Sequence, residues 1–81
     1  YIANFYFKTS DFQSASYRYE KILSTLRGID GMEKPMLNLI ISYIKLKDRD
    51  KCLFKIEQFG QFLEKEDRDS VMEKCKKLNK E

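Results

Sequence analysis

The fold is decided by residues 3–26, which read ANFYFKTSDFQSASYRYEKILSTL. This stretch predicts the end of one helix, a tight turn at residues 9–11, and a complete second helix packed back on the first. Ser10 is placed to cap the second helix, and Gln13 follows three residues later, which is the spacing of a capping box. The apolar residues after the turn recur with helical spacing rather than with a strand's alternation, at Phe12, Ala15, Tyr19, Ile22, Leu23 and Leu26.

A second copy of the pattern lies 37 residues further along the chain. Four positions match at this offset: Tyr6 with Tyr43, Ala15 with Cys52, Tyr19 with Ile56, and Ile22 with Phe59. A tyrosine followed by a small residue, and then by a large one four positions later, is the core of the tetratricopeptide (TPR) pattern, whose period is about 34 residues. The excess of three residues fits an extended connection at 27–32. The proline that this pattern places after the second helix is missing from both copies, where Arg27 and Glu64 stand.

The remaining helices are predicted from the same periodicity. The third begins near Glu33, tolerates Pro35 in its first turn, and is apolar nearly all round. We therefore expect it to be the most buried element or to carry a face that awaits a partner. Asp48 is placed to cap a fourth helix, which contains Gly60. The charged stretch 64–69 ends that helix and caps a fifth, whose apolar face consists of Val71, Met72, Cys75 and Leu78.

The predicted fold is therefore all-α: a TPR-like α-solenoid of two antiparallel helix pairs plus a C-terminal capping helix. A single domain covers residues 1–81. Its first repeat, truncated at the N-terminus, spans 1–26, with helices at 1–9 and about 11–26. The second repeat spans 33–65, and the capping helix spans 67–80. The shared offset also predicts that Ala15 and Cys52 occupy equivalent close contacts between helices.

Composition argues against several classes of function. The chain has 16 basic and 13 acidic residues, a net charge of +3 with the two signs interspersed, which does not favour nucleic-acid binding. It contains no apolar run long enough to span a membrane. There is no histidine and no CxxC motif, so no metal site is predicted. Cys52 and Cys75 lie on apolar helix faces and are predicted to be reduced, buried and poorly accessible.

No catalytic constellation occurs in the sequence. It lacks a glycine-rich phosphate loop and a serine in a nucleophile elbow. The carboxylates of Glu64, Glu66, Asp67 and Asp69 form a cluster at a helix junction, which we interpret as a solvated cap rather than an acid–base pair. We therefore predict that the protein is not an enzyme and needs no cofactor.

The predicted function is partner binding. In a solenoid of helix pairs the first helix of each pair lines the concave face, so the binding surface is expected on the first and third helices. It is an apolar floor flanked by lysines, formed by Asn4, Phe7, Lys8, Lys34, Leu37, Ile41, Ile44 and Lys45. The alternative is that the fifth helix, or helices upstream of this stretch, cover the floor.

The first helix pair resembles that of the BamD-type lipoproteins of bacterial outer-membrane β-barrel assembly. The match is an Ala-x-Phe-Tyr helix, a turn, and then Ala-x-x-Arg-aromatic, here Ala3, Phe5, Tyr6, Ala15, Arg18 and Tyr19. Downstream, Leu39 and the segment SYIKL at 42–46 resemble the following helix of that family. The Tyr-Pro that the family has after its second helix is replaced by Leu26-Arg27.

This resemblance implies a periplasmic scaffold that corresponds to the two C-terminal repeats of such a protein. The scaffold would be attached to the outer membrane by a lipid on a cysteine outside this chain. Its partner would be the periplasmic domains of the barrel-inserting subunit, with Arg18 as a polar contact. A helix-surface arginine that pairs locally, for example with Glu20, is the alternative for Arg18.

A second function class stays open, a generic TPR adaptor or co-chaperone module that binds a peptide. Chaperone-binding repeats clamp two carboxylates with lysines and asparagines on the concave face. Asn4, Lys8, Lys34 and Lys45 partly supply these residues, whereas the apolar floor argues against such a clamp.

Overall fold

The computed structural model describes residues 2–25 and 31–78, and no strand occurs within these ranges. The helices are α1 (Ile2–Lys8), α2 (Phe12–Thr25), α3 (Glu33–Lys45), α4 (Arg49–Phe59) and α5 (Lys65–Lys76), with a 3-10 turn at Gly60–Phe62 between α4 and α5. The all-α class is confirmed. Some predicted positions lie outside the described residues. They are Leu26, Arg27 and the ends of the predicted spans at Tyr1 and Lys80.

Helix α3 is the centre of the packing. It contacts α2, α4 and α5, while α1 packs on α2 and α5 also packs on α4. Seven of its residues are buried, more than in any other described helix, which confirms the expectation from its apolar sequence.

The turn between α1 and α2 corrects the predicted cap. Ser10 does not cap α2, because it ends α1 in the left-handed conformation with φ of 66°. In that conformation the N–H of Asp11 donates to the Tyr6 carbonyl at 2.9 Å, which is the closing bond of a Schellman motif. The cap is then Asp11, whose Oδ1 accepts the N–H of Ser14 at 3.2 Å.

The turn between α3 and α4 repeats this arrangement 37 residues later. Lys47 takes the left-handed conformation with φ of 60°, and the N–H of Asp48 donates to the Tyr43 carbonyl at 2.9 Å. Asp48 caps α4, as predicted, by accepting the N–H of Lys51 at 3.2 Å. The two helical hairpins therefore have the same local structure at equivalent positions, which extends the sequence repeat to the turn itself.

The small residues of the repeat are buried as the offset predicts. Ala15 and Cys52 are both fully buried, and so is Ala3 on α1. The small side chains of alanine and cysteine at these places leave room for the neighbouring helix. Tyr19 and Ile56, one helical turn after Ala15 and Cys52, are buried as well.

A polar network ties the first three helices together inside the core. The hydroxyl of Tyr19 donates to Asn4 Oδ1 at 2.6 Å and accepts from Asn38 Nδ2 at 3.0 Å. Burial raises the pKa of Tyr19, while the hydrogen bond from Asn38 opposes the shift. Within residues 2–25 and 31–78, no buried side-chain nitrogen or oxygen lacks a partner. Such a satisfied network favours one alignment of α1, α2 and α3 over others.

The two cysteines form a disulfide between α4 and α5, so the prediction that both are reduced is wrong. Their Cα atoms are 6.0 Å apart, within the usual range for a disulfide. Both residues are fully buried, as predicted. The apolar stripes of α4 and α5 face each other, and the bond follows from the register at which they meet. Helical periodicity assigns each thiol to a face but does not give that register.

Gly60 also differs from its predicted place inside the fourth helix. Helix α4 ends at Phe59, and Gly60 begins the 3-10 turn. It is buried, and a Cβ atom there would lie 3.3 Å from Cδ of Arg68 on α5. The glycine thus leaves room for the Arg68 side chain beside the turn.

Candidate docking surface

Most of the exposed large apolar side chains lie around α2. Within the described ranges these side chains are Ile2, Phe5, Tyr17, Leu46 and Phe54. All except Phe5 line one of two neighbouring clefts, and Tyr17 lines both. Tyr17 therefore forms a ridge between the clefts.

The first of the two is the α2/α4 cleft, with a volume of about 700 Å³. Helices α2 and α4 form its walls, and the end of α3 closes it. Its apolar rim consists of Tyr17, which is 58% exposed, Phe54, which is 59% exposed, and Leu46. The other lining residues are polar, apart from the ring of Tyr43: Gln13, Ser16, Glu20, Tyr43, Asp48, Lys51 and Lys55.

Glu20 is the centre of an interhelical network in the α2/α4 cleft. Its Oε2 accepts the hydroxyl of Tyr43 at 2.5 Å, and its Oε1 pairs with Nζ of Lys55 at 2.9 Å. The Lys55 side chain is only 12% exposed, and its ammonium group also lies over the rings of Phe54 and Phe59. Because each of these charges is already neutralised within the network, the cleft floor is polar without being strongly charged.

Tyr43 should respond to pH in a way that tests this network. Burial raises the pKa of its hydroxyl above the ordinary tyrosine value, and the hydrogen bond to Glu20 and the charges of Glu20 and Asp48 raise it further. A folded-state pKa above the unfolded one stabilises the fold at pH values below the unfolded pKa of about 10, and this stabilisation is lost as the pH rises above it.

We therefore expect the ultraviolet absorbance of the native chain to show a tyrosine that ionises later than an ordinary one. Glu20→Gln should bring that ionisation to lower pH, because it removes the negative charge. Glu57→Gln, at an exposed position on α4, is the control and should leave the titration unchanged. An unaltered titration in Glu20→Gln would contradict the assigned cause.

The second of the two clefts beside Tyr17 is the α1/α2 cleft, with a volume of about 510 Å³. Among the described residues it is lined by Ile2, Ala3, Tyr17, Arg18, Lys21 and Ile22, which include two cations and no carboxylate. Nζ of Lys21 lies 5.4 Å from the ring centroid of Tyr17. Arg18 forms no salt bridge with any residue in the described part of the chain. The local pairing of Arg18 with Glu20 is therefore not observed, since Glu20 pairs with Lys55.

The residues predicted to bind a partner are distributed over several surfaces. Arg18 is exposed in the α1/α2 cleft. Lys34 and Leu37 line a separate α3/α5 cleft of about 550 Å³ with the start of α5. Lys8 and Lys45 are exposed, and the side-chain oxygen of Asn4 accepts the hydrogen bond from Tyr19. The apolar members are partly buried against the core: Phe7, Leu37, Ile41 and Ile44.

Two aromatic residues of the clefts were not predicted from the sequence as part of a binding surface. Tyr17 and Phe54 stand outside the buried stripes of their helices, between polar or charged neighbours on the helix surface. An aromatic residue on the polar face of an amphipathic helix is the signal that could have found them. Their common location required the packing of α2 and α4 across the end of α3.

The described residues offer neither a cluster of metal ligands nor a membrane-spanning helix. In residues 2–25 and 31–78, no group of three or more potential metal ligands comes together. None of the helices in these ranges has the length and the apolar character needed to cross a bilayer. Comparison with protein-family models, curated proteins and solved structures finds no match for this chain.

Proposed function

We propose that this chain is a non-catalytic protein–protein interaction scaffold, built as a TPR-like α-solenoid, that acts in bacterial outer-membrane β-barrel assembly. The observation that carries the interaction role is the repeated hairpin. Both helix pairs end their first helix with a left-handed residue and cap their second with an aspartate, 37 residues apart. Repeated helix pairs stack into extended surfaces, which such proteins use to bind partners.

The position of α5 supports the solenoid arrangement. It packs on both helices of the second pair, α3 and α4, as the first helix of a following pair would. A terminal helix with a polar outer face is what a stack of repeats needs at its end. The outer positions of α5 are polar and exposed, including Glu66, Asp69, Glu73 and Lys74.

The disulfide supports the proposed location on the periplasmic side of the outer membrane. Structural disulfides persist in oxidising compartments, including the bacterial periplasm, and are rare in the cytosol. The bond between Cys52 and Cys75 therefore favours the envelope scaffold over a cytosolic co-chaperone adaptor. Membrane attachment in this proposal comes only from a lipid anchor outside the chain, and the partner is the periplasmic region of the barrel-inserting subunit.

The generic TPR adaptor is the second candidate. Exposed Lys8, Lys34 and Lys45 favour it because they could pair with the carboxylates of a peptide. Asn4, the fourth member of that clamp, accepts the hydrogen bond from the Tyr19 hydroxyl through its side-chain oxygen instead. A preference for a peptide with paired carboxylates over the periplasmic domains would identify this function.

A pull-down with the isolated periplasmic domains of the barrel-inserting subunit tests the proposal. Wild-type chain should be retained, and Arg18→Ala should weaken retention about tenfold, because it removes an exposed guanidinium suited to charge-assisted contacts. Lys74→Ala on α5 is the matched control and should bind like the wild type. Ile41 is not a suitable position, because a charge there would disturb a residue packed on the core.

Failure of the wild-type chain to bind these domains would refute the envelope assignment. Equal retention of Arg18→Ala and wild type would exclude Arg18 as a contact. Circular dichroism of each variant shows whether the fold is preserved.

A further inference from the structure

We infer that the two clefts on α2 together bind an acidic segment of a partner protein. The large apolar side chains that this chain exposes around the clefts make the contact. The inference rests on the proposed role as an interaction scaffold and assigns its docking face and the chemistry of its partner. We call this face the α2 surface, and its defining residues are Ile2, Tyr17, Arg18, Lys21, Leu46 and Phe54.

The apolar part of the argument is the concentration of exposed side chains. Ile2, Tyr17 and Phe54 are each more than half exposed, and together they extend from α1 across α2 to α4. Grouped exposed apolar residues with a polar surround mark interaction sites, whereas single ones are ordinary. Tyrosine and arginine are also the residue types that contribute most to binding at interfaces.

The charge of the α1/α2 cleft specifies the partner. Arg18 and Lys21 bring two positive charges to a mainly apolar cleft that is lined by no carboxylate from the described residues. In the α2/α4 cleft, by contrast, Glu20 and Lys55 neutralise each other. An uncompensated positive charge beside apolar surface is complementary to a group that is apolar and negatively charged at once. A segment with a large apolar residue next to aspartate or glutamate has this chemistry.

The shape of the surface favours a polypeptide. Two separate recesses on either side of the Tyr17 ridge offer places for two side chains from one segment. A single acyl chain of a lipid would fill one recess and leave the other open. The polar floor around Glu20 and Tyr43 also suits a polypeptide, because its backbone carries hydrogen-bonding groups that an acyl chain lacks.

The α2 surface differs from the floor predicted on the third helix. Leu37, Ile41 and Ile44 are partly buried against the core, so little of their surface is left for a partner. Both surfaces would serve an interaction scaffold, and the experiment below separates them.

The test is selection of a random-peptide phage library on the purified chain. We expect the enriched peptides to share a large apolar residue beside aspartate or glutamate. Synthetic copies should lose affinity by about tenfold for Tyr17→Ala and for Arg18→Glu, the size of effect found when a central contact is removed. The matched controls are Phe5→Ala, an equally exposed aromatic outside both clefts, and Lys74→Glu on α5, and both should bind like the wild type.

Enriched peptides that are basic, or that bind Tyr17→Ala and Arg18→Glu normally, would overturn the inference. If their binding depended on Lys34 or Lys45 instead, the scaffold role would stand with its docking face on α3. Vesicles containing anionic phospholipid provide a separate arm. Binding to them that is lost in Arg18→Glu, without any enrichment of acidic peptides, would assign the surface to a membrane and overturn the inference.

Discussion

Reduction of the disulfide between Cys52 and Cys75 is expected to lower the free energy of unfolding by about 3 kcal/mol. The bond closes a loop between residues separated by 23 positions, and cross-linking them restricts the unfolded chain. A domain of this length is stabilised by only about 4–12 kcal/mol in total, so the loss would be a large part of its stability. The effect should fall most heavily on α5, which the bond joins to α4.

Urea unfolding with and without a reducing agent measures this difference without changing any side chain. The midpoint should move to lower urea when the bond is reduced. A double variant, Cys52→Ala with Cys75→Ala, is the control and should have the same midpoint under both conditions. An oxidised wild type, verified by mass, that unfolds at the same urea concentration as the reduced protein would contradict the stabilising role of the bond.

Replacing Ala15 with leucine is expected to destabilise the fold by about 2–3 kcal/mol, the upper part of the range for overpacking. Ala15 is fully buried on α2, against which α1 packs. Three additional carbon atoms there must displace the neighbouring helix or adopt a strained rotamer. The tyrosine network that joins the same helices gives α1 little freedom to move aside.

Gln13→Leu is the matched control because it introduces the same side chain at an exposed position of the same helix. Its effect should be within about 0.5 kcal/mol, as for ordinary surface substitutions. Thermal melting of both variants gives the comparison. An Ala15→Leu variant that melts with the wild type would place Ala15 outside the close contact and refute the shared register of the two helix pairs.

Much of the fold could be predicted because the helices are strongly periodic and the repeat is internal. The 37-residue offset located Ala15 and Cys52 at equivalent buried positions, and Asp48 was identified as a cap. The same offset relates Asp11 to Asp48, but the capping-box pattern at Ser10 and Gln13 led to the wrong cap. Capping patterns do not show which residue must take the left-handed conformation that ends the preceding helix.

The docking surface was harder to predict, because it depends on tertiary packing. The third helix is apolar nearly all round, but α2, α4 and α5 pack on it and bury most of its apolar residues. Two of the exposed apolar residues, Tyr17 and Phe54, are far apart in sequence and line the same cleft only because α2 and α4 pack beside each other. The disulfide was missed for the same reason, since periodicity gives the face of a helix but not its depth against a neighbour.

The proposed role of this chain is that of an interaction scaffold that docks its partner on the α2 surface. Hydroxyl-radical footprinting, with and without the isolated periplasmic domains of the barrel-inserting subunit, tests it most directly, because aromatic side chains react readily when exposed. Tyr17, Phe54 and Phe5 are 58%, 59% and 62% exposed, so all three should be oxidised in the free chain. We expect the partner to protect Tyr17 and Phe54 but not Phe5. Oxidation of Tyr17 and Phe54 that the partner leaves unchanged would contradict docking on the α2 surface.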